Sequence, residues 1–133
     1  MPFVFEQGVN ERLFRVRFTG DVNDQDLLAA RAGSVEYFRA LERACHVIID
    51  YTAVDSFDVE TKTIEKLAAA RSESPQEWHV VVIAPKPHIF GLMRMLSLLS
   101  GPRRPNLQVV RTTAEAYTLL GMEEPEFTPW EPQ

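Results

Sequence analysis

Phe14, Val16 and Phe18 alternate with Arg15 and Arg17. A period of two predicts a strand with one face in the core and the other in water. Phe3-Val4-Phe5 predicts a shorter strand before it, and Gly8-Val9-Asn10-Glu11 the turn between them, so the chain opens as an antiparallel hairpin. Gly20 is expected to end the second strand. Further on the pattern changes. Val47-Ile48-Ile49 and the run from Trp78-His79 through Val80-Val81-Val82-Ile83-Ala84 are apolar almost without interruption. Such runs predict strands covered on both faces. Leu107-Gln108-Val109-Val110-Arg111 predicts the last strand.

Between these strands the period is three to four. Leu28, Ala32, Val35, Phe38 and Leu41 make one stripe, which predicts a helix over 24–43 capped by Asn23 or Asp24. Gly33 weakens its middle by roughly 1 kcal/mol relative to alanine and allows a bend. A second helix is expected over 59–72, with Asp58 as N-cap and Glu60 in the first turn at the positive helix end. Ile64, Leu67, Ala68 and the stem of Arg71 would line its inner face, with Ser74-Pro75-Gln76-Glu77 as the connector beyond. Pro87 starts a third helix and Gly101-Pro102 stops it. Thr112 or Thr113 caps a fourth, which Gly121 ends. The order is ββαβαβαβα. It defines an α/β fold: a mixed sheet with an antiparallel opening hairpin, parallel strands after it and helices packed on it. Residues 1–121 form the expected domain. Residues 122–133 read as an acidic, proline-rich tail, in which Phe127 and Trp130 call for a packing surface.

Composition narrows the class. In 133 residues, 45% hydrophobic and 25% charged are the values of an ordinary globular domain. One cysteine, Cys45, excludes an internal disulfide framework, and the start of the chain lacks the basic end and apolar run of a signal peptide. A cytoplasmic location is the expectation. The longest apolar stretch, Ile89 to Leu99, is too short for a bilayer span. The net charge of −5 argues against a general nucleic-acid binder. Charge is uneven, however. Residues 78–111 hold Lys86, Arg94, Arg103, Arg104 and Arg111 and no acid, while the rest holds all 19 acids against 9 bases.

The run Val47-Ile48-Ile49-Asp50-Tyr51-Thr52-Ala53-Val54 is an apolar strand that ends in Asp and a small-residue turn. With Val82-Ile83-Ala84-Pro85, Ile89-Phe90-Gly91-Leu92-Met93-Arg94-Met95, and Val109-Val110-Arg111-Thr112 before Glu115-Ala116 and Leu120-Gly121, it resembles the STAS domains of bacterial anti-sigma-factor antagonists. The likeness covers about residues 3–121 and is nearer to the SpoIIAA-like, STAS/CRAL-TRIO-like branch. The resemblance implies a regulatory or binding domain without catalysis. In the sporulation-type members a phosphorylated serine follows the Asp that opens the second helix. That Asp matches Asp58 here, and the next position is Val59, which has no hydroxyl; Ser56 and Thr61 lie off register. A phosphate beside Asp55, Asp58 and Glu60 would also meet like charge.

Other chemistry finds less support. The acids Asp50, Asp55, Asp58 and Glu60 lack the ligand spacing of a calcium loop. No two of His46, His79 and His88 share a helix at zinc-site spacing. No nucleophile elbow, P-loop or dinucleotide glycine motif is present, so no metal, cofactor or enzyme activity is expected. Cys45 reads as a small buried residue. Two candidate surfaces remain. Sites in open α/β sheets gather at the carboxyl ends of strands, which singles out the loop residues Ser56, Asp58, Thr61, Lys86 and His88 for contact with another protein. The third helix is apolar all round and needs more cover than one sheet face gives. The tail, a second copy of the chain or an apolar ligand would supply it. Phe90, Met93 and Leu96, with Arg94 or Arg104, suit an apolar molecule with an anionic head such as a fatty acid or lipid.

Overall fold

The computed structural model describes residues 2–9, 12–41, 45–70 and 78–132. The expected connector Ser74–Glu77 and Arg71 lie outside the described residues, as do Asn10 and Glu11 of the first turn. Strands β1 (Phe3–Gly8) and β2 (Leu13–Asn23) are followed by α1 (Asp24–Ala40), β3 (His46–Asp58), α2 (Thr61–Ala69), β4 (Val80–Ile83), α3 (Pro87–Ser100), β5 (Leu107–Val110), α4 (Thr113–Leu120) and β6 (Phe127–Trp130). The six strands form one mixed sheet in the order β5-β4-β3-β2-β1-β6. β1 is antiparallel to both β2 and β6, and the remaining neighbours are parallel.

The α/β fold with an antiparallel opening hairpin is therefore as the pattern predicts. From β2 to β5 each crossover steps one strand over in the same direction. Right-handed crossovers of that kind leave all their helices on one face. The core residues agree: α1, α2 and α3 pack with Phe14, Val16, Phe18, Val47, Tyr51 and Val82, while α4 packs on the other face with Leu13, Ile48, Val81 and Ile83.

Several local expectations are corrected. Gly20 does not end β2. It takes φ +68 between two register shifts, and the strand runs on to Asn23. A glycine tolerates that backbone where a Cβ would not. β3 likewise runs to Asp58, so the short loop expected between the strand at 47–49 and the helix start at Asp58 is strand, with Val54 and Phe57 buried and Asp55, Ser56 and Asp58 exposed. Asp58 is consequently not the N-cap of α2. Glu60 holds that position without a side-chain bond, and its own N–H donates to Asp24 Oδ1 at 3.0 Å. The α1 stripe is rotated by one residue: Leu27, Ala30, Gly33 and Tyr37 are buried, whereas Leu28 is 41% exposed. α1 also runs unbroken through Gly33. A Cβ there would stand 2.4 Å from Phe5 Cζ, so this glycine serves close approach to the sheet rather than a bend.

The last correction concerns 122–133. This segment supplies β6, an edge strand paired with β1 through Phe5↔Trp130 and Gly8↔Phe127. Pro129 is admissible because edge strands tolerate a missing N–H. Trp130 packs edge-on to Phe5, Phe14 and Tyr37. On the opposite face, the Arg15 guanidinium lies 3.7 Å from the centre of the Phe127 ring while making a bidentate pair with Glu6. The segment thus packs on its own sheet, far from α3, and does not cover that helix.

Candidate functional site

An apolar cavity of about 170 Å³ lies between the sheet and the helices. Its floor is Val16 and Phe18 of β2 with Val47, Ile49 and Tyr51 of β3. Leu27, Ala30, Ser34, Val35 and Phe38 of α1 form the roof. Leu67 of α2 and Met93 and Leu96 of α3 close the far side, and Trp78, Val80 and Leu107 close one end. Arg31, Arg103, Arg104 and Asn106 stand where the lining reaches the surface. Val80 and Leu107 begin β4 and β5, so the cavity sits toward the amino ends of these strands. That is the opposite end from the one the α/β rule singled out.

The arginines on the rim are fixed in place by the carbonyl end of α2. Arg103 Nε donates to Ala68 O at 2.9 Å. Arg104 donates from Nη1 to Ala68 O and to Ser100 Oγ, and from Nη2 to Ala70 O. These bonds satisfy carbonyls that a helix end leaves without partners and use its negative pole. They do not neutralise the charge. Among the described residues the ion pairs are Arg15–Glu6 and Arg17–Glu6, and no carboxylate pairs with Arg103 or Arg104. Burial, then the charges of Arg31 and Arg103, pull the Arg104 guanidinium below its ordinary pKa. An anion placed here would relieve that strain.

The structure divides the two predicted groups. Met93, Leu96 and Arg104 meet at the cavity. Phe90 and Arg94 do not join them. Phe90 lies under the guanidinium of Arg111, 4.3 Å from its ring centre, and Arg94 is exposed. Arg31, Ser34, Trp78 and Asn106 are cavity residues that the sequence reading missed. On the carboxyl edge, Ser56 Oγ donates to Asp21 Oδ1 at 2.7 Å and Lys86 Nζ donates to Asp55 O at 2.9 Å. His88 stands 6.4 Å from the Phe57 ring, and Asp58 and Thr61 are exposed. These five residues share one edge of the sheet, but none of them lines the cavity. No group of three or more His, Cys, Asp and Glu residues among those described has metal-binding geometry.

His46 and His79 lie side by side on the amino edge, ring centres 5.3 Å apart, and His46 Nδ1 is buried without a hydrogen-bond partner among the described residues. Burial, then the charge of His79, lowers the pKa of His46 from its ordinary 6.5. The native state therefore binds fewer protons than the unfolded state once pH falls below 6.5, and stability drops until the lowered native value is passed. Melting temperatures at pH 7.5 and 5.5 should show a smaller acid loss in His46→Asn than in the native chain. Equal losses would remove His46 from the account. Nearby Cys45 is buried, and its thiol is pushed up to about 12 by burial, so it is a poor nucleophile.

No protein-family model, curated protein or solved structure matches the chain. None of the described helices is long and apolar enough to cross a membrane.

Proposed function

We propose that the chain is a non-catalytic regulatory domain of the STAS-like type that senses or carries a small apolar molecule with an anionic end. The observation behind this reading is the cavity: apolar walls of sheet and helix, with Arg103 and Arg104 on its rim and no carboxylate paired to either among the described residues. At about 24 cal/mol per Å³, an unfilled void of this size would cost at most about 4 kcal/mol, less where solvent enters. That is a sizeable share of a total stability of about 5–15 kcal/mol, and an apolar guest would recover part of it. The consecutive strand order β2 to β5 supports the STAS-like comparison. Control by phosphoserine is not part of the proposal. Val59 carries no hydroxyl and is only 7% exposed.

Two measurements test the proposal. Native mass spectrometry of protein purified from its own host is expected to show retained mass of a few carbon atoms or more per chain. Octanoate is expected to raise the melting temperature more than octanol does, and Arg104→Gln to abolish the difference. A bare chain that neither compound stabilises would sink the reading.

A second reading, contact with a protein or a second copy of the chain, has its own observation. Leu98 is 72% and Leu99 47% exposed near the end of α3, and neither lines the cavity. A sedimentation mass equal to the monomer at every concentration would exclude self-association.

A further inference from the structure

The cavity has a second polar feature, well inside its arginine rim. Tyr51 lies on the floor and is 2% exposed. Its ring stacks on Phe18 at 4.8 Å and meets Phe57 edge-on. No hydrogen bond joins its hydroxyl to another described residue, and His46 Nδ1 is the buried side-chain atom without a partner among those residues, so the Tyr51 hydroxyl keeps contact with open space, which on this floor is the cavity. Burial alone pushes the phenol well above its ordinary pKa, so it stays protonated and able to donate. A hydroxyl set in an apolar wall can bond only to what fills the cavity, whether solvent or a polar atom of a guest. Size adds a further constraint. An engineered apolar cavity of about 150 Å³ takes one benzene ring. This one, of about 170 Å³, has room for a ring and little more, and Phe18, Phe38 and Trp78 on its walls offer aromatic faces and edges.

We infer that the ligand is an aromatic carboxylate with a hydroxyl or carbonyl group on the end of the ring away from the acid. The carboxylate meets Arg103 and Arg104 at the rim, the ring fills the cavity, and the distal oxygen exchanges a hydrogen bond with the Tyr51 hydroxyl. This rests on the ligand-binding reading above and narrows it from long acyl chains to a ring-sized body. A long chain would have to leave most of its length outside.

The test is calorimetric titration of the full chain with 3-(4-hydroxyphenyl)propionate, 3-phenylpropionate and octanoate. The first is expected to bind about three- to tenfold tighter than the second, the worth of one neutral hydrogen bond in a buried site. In Tyr51→Phe the two aromatic acids should bind alike, and Arg104→Gln should weaken both by the same factor. Without ligand, Tyr51→Phe should melt no lower than the native chain, because the hydroxyl it removes has no partner among the described residues. A lower melting temperature for that variant would show that the hydroxyl is already satisfied and would overturn the inference. Equal binding of the two aromatic acids to the native chain, a preference that survives in Tyr51→Phe, or tightest binding of octanoate would overturn it too, while leaving the ligand-binding reading in place. No binding of any of the three would overturn both.

Discussion

Phe14→Ala should cost about 3–5 kcal/mol of stability, the range for removing a buried aromatic ring. Phe14 is 0% exposed. Its ring stacks on Tyr37 at 4.0 Å and 16°, lies 5.7 Å from Phe5, and is met edge-on by Phe38 and Trp130. One residue of β2 thus joins β1, α1 and β6, so no single neighbour can move in to refill the space. Because total stability is about 5–15 kcal/mol, the variant should be marginal, with its melting temperature down by roughly 10–20 °C. Urea unfolding monitored by tryptophan fluorescence measures it. A loss under about 1 kcal/mol would mean that the aromatic cluster relaxes easily and does not hold α1 to the sheet.

Ending the chain after Pro125 should be nearly as damaging. It removes the four paired positions of β6, the bond that Val9 N donates to Glu126 O, the Trp130 ring packed on Phe5, Phe14 and Tyr37, and the Phe127 ring under Arg15. Trp130 is only partly buried, so about 2–4 kcal/mol is expected, toward the low end for a large aromatic. The truncation also bares the backbone of β1 as a new sheet edge, and bare edges pair with other chains. Size-exclusion chromatography should therefore show aggregates that the full chain lacks. Unchanged urea midpoint and elution volume would mean that 126–133 is a dispensable appendage.

These residues show how much the sequence disclosed. The strand–helix order was legible because the strands at 47–49 and 80–83 are apolar without a break and the helix ends carry plain signals. Asn23 and Asp26 form the capping box of α1, and Thr112 Oγ1 accepts from Glu115 N at 3.1 Å. The rotation of α1 was not legible. Leu27 and Leu28 are adjacent, and the buried face is completed by Gly33 and Tyr37, which carry little apolar signal. The length of β3 was hidden because only one face of its second half is buried. Asp55, Ser56 and Asp58 look like loop until β2, bulged at Gly20, is seen to follow them. β6 was hidden by Pro129, a residue admissible only once the strand is known to be an edge.

The candidate site was legible in part. Met93 and Leu96 were found because α3 had more apolar surface than one sheet face needs, and Arg104 because it supplies positive charge beside that surface. Trp78, Asn106 and Arg31 were not, since they reach the cavity from three separate stretches of chain and no local pattern links them. Tyr51 stood in a strand run and gave no sign that it would lie on the floor of a cavity.

The contact between Gly33 and Phe5 reaches beyond packing. Neither residue lines the cavity, yet Ala30, Ser34 and Val35, on either side of Gly33 along α1, belong to its roof. The height of that roof is set by how closely the helix settles on one phenylalanine ring outside the cavity. A chain of this fold could thus acquire a taste for a larger guest without altering a single residue that touches it. On the proposed ligand-binding reading, selectivity and binding surface would be separable here, and a survey of variants confined to the lining would overlook the position that governs the available space.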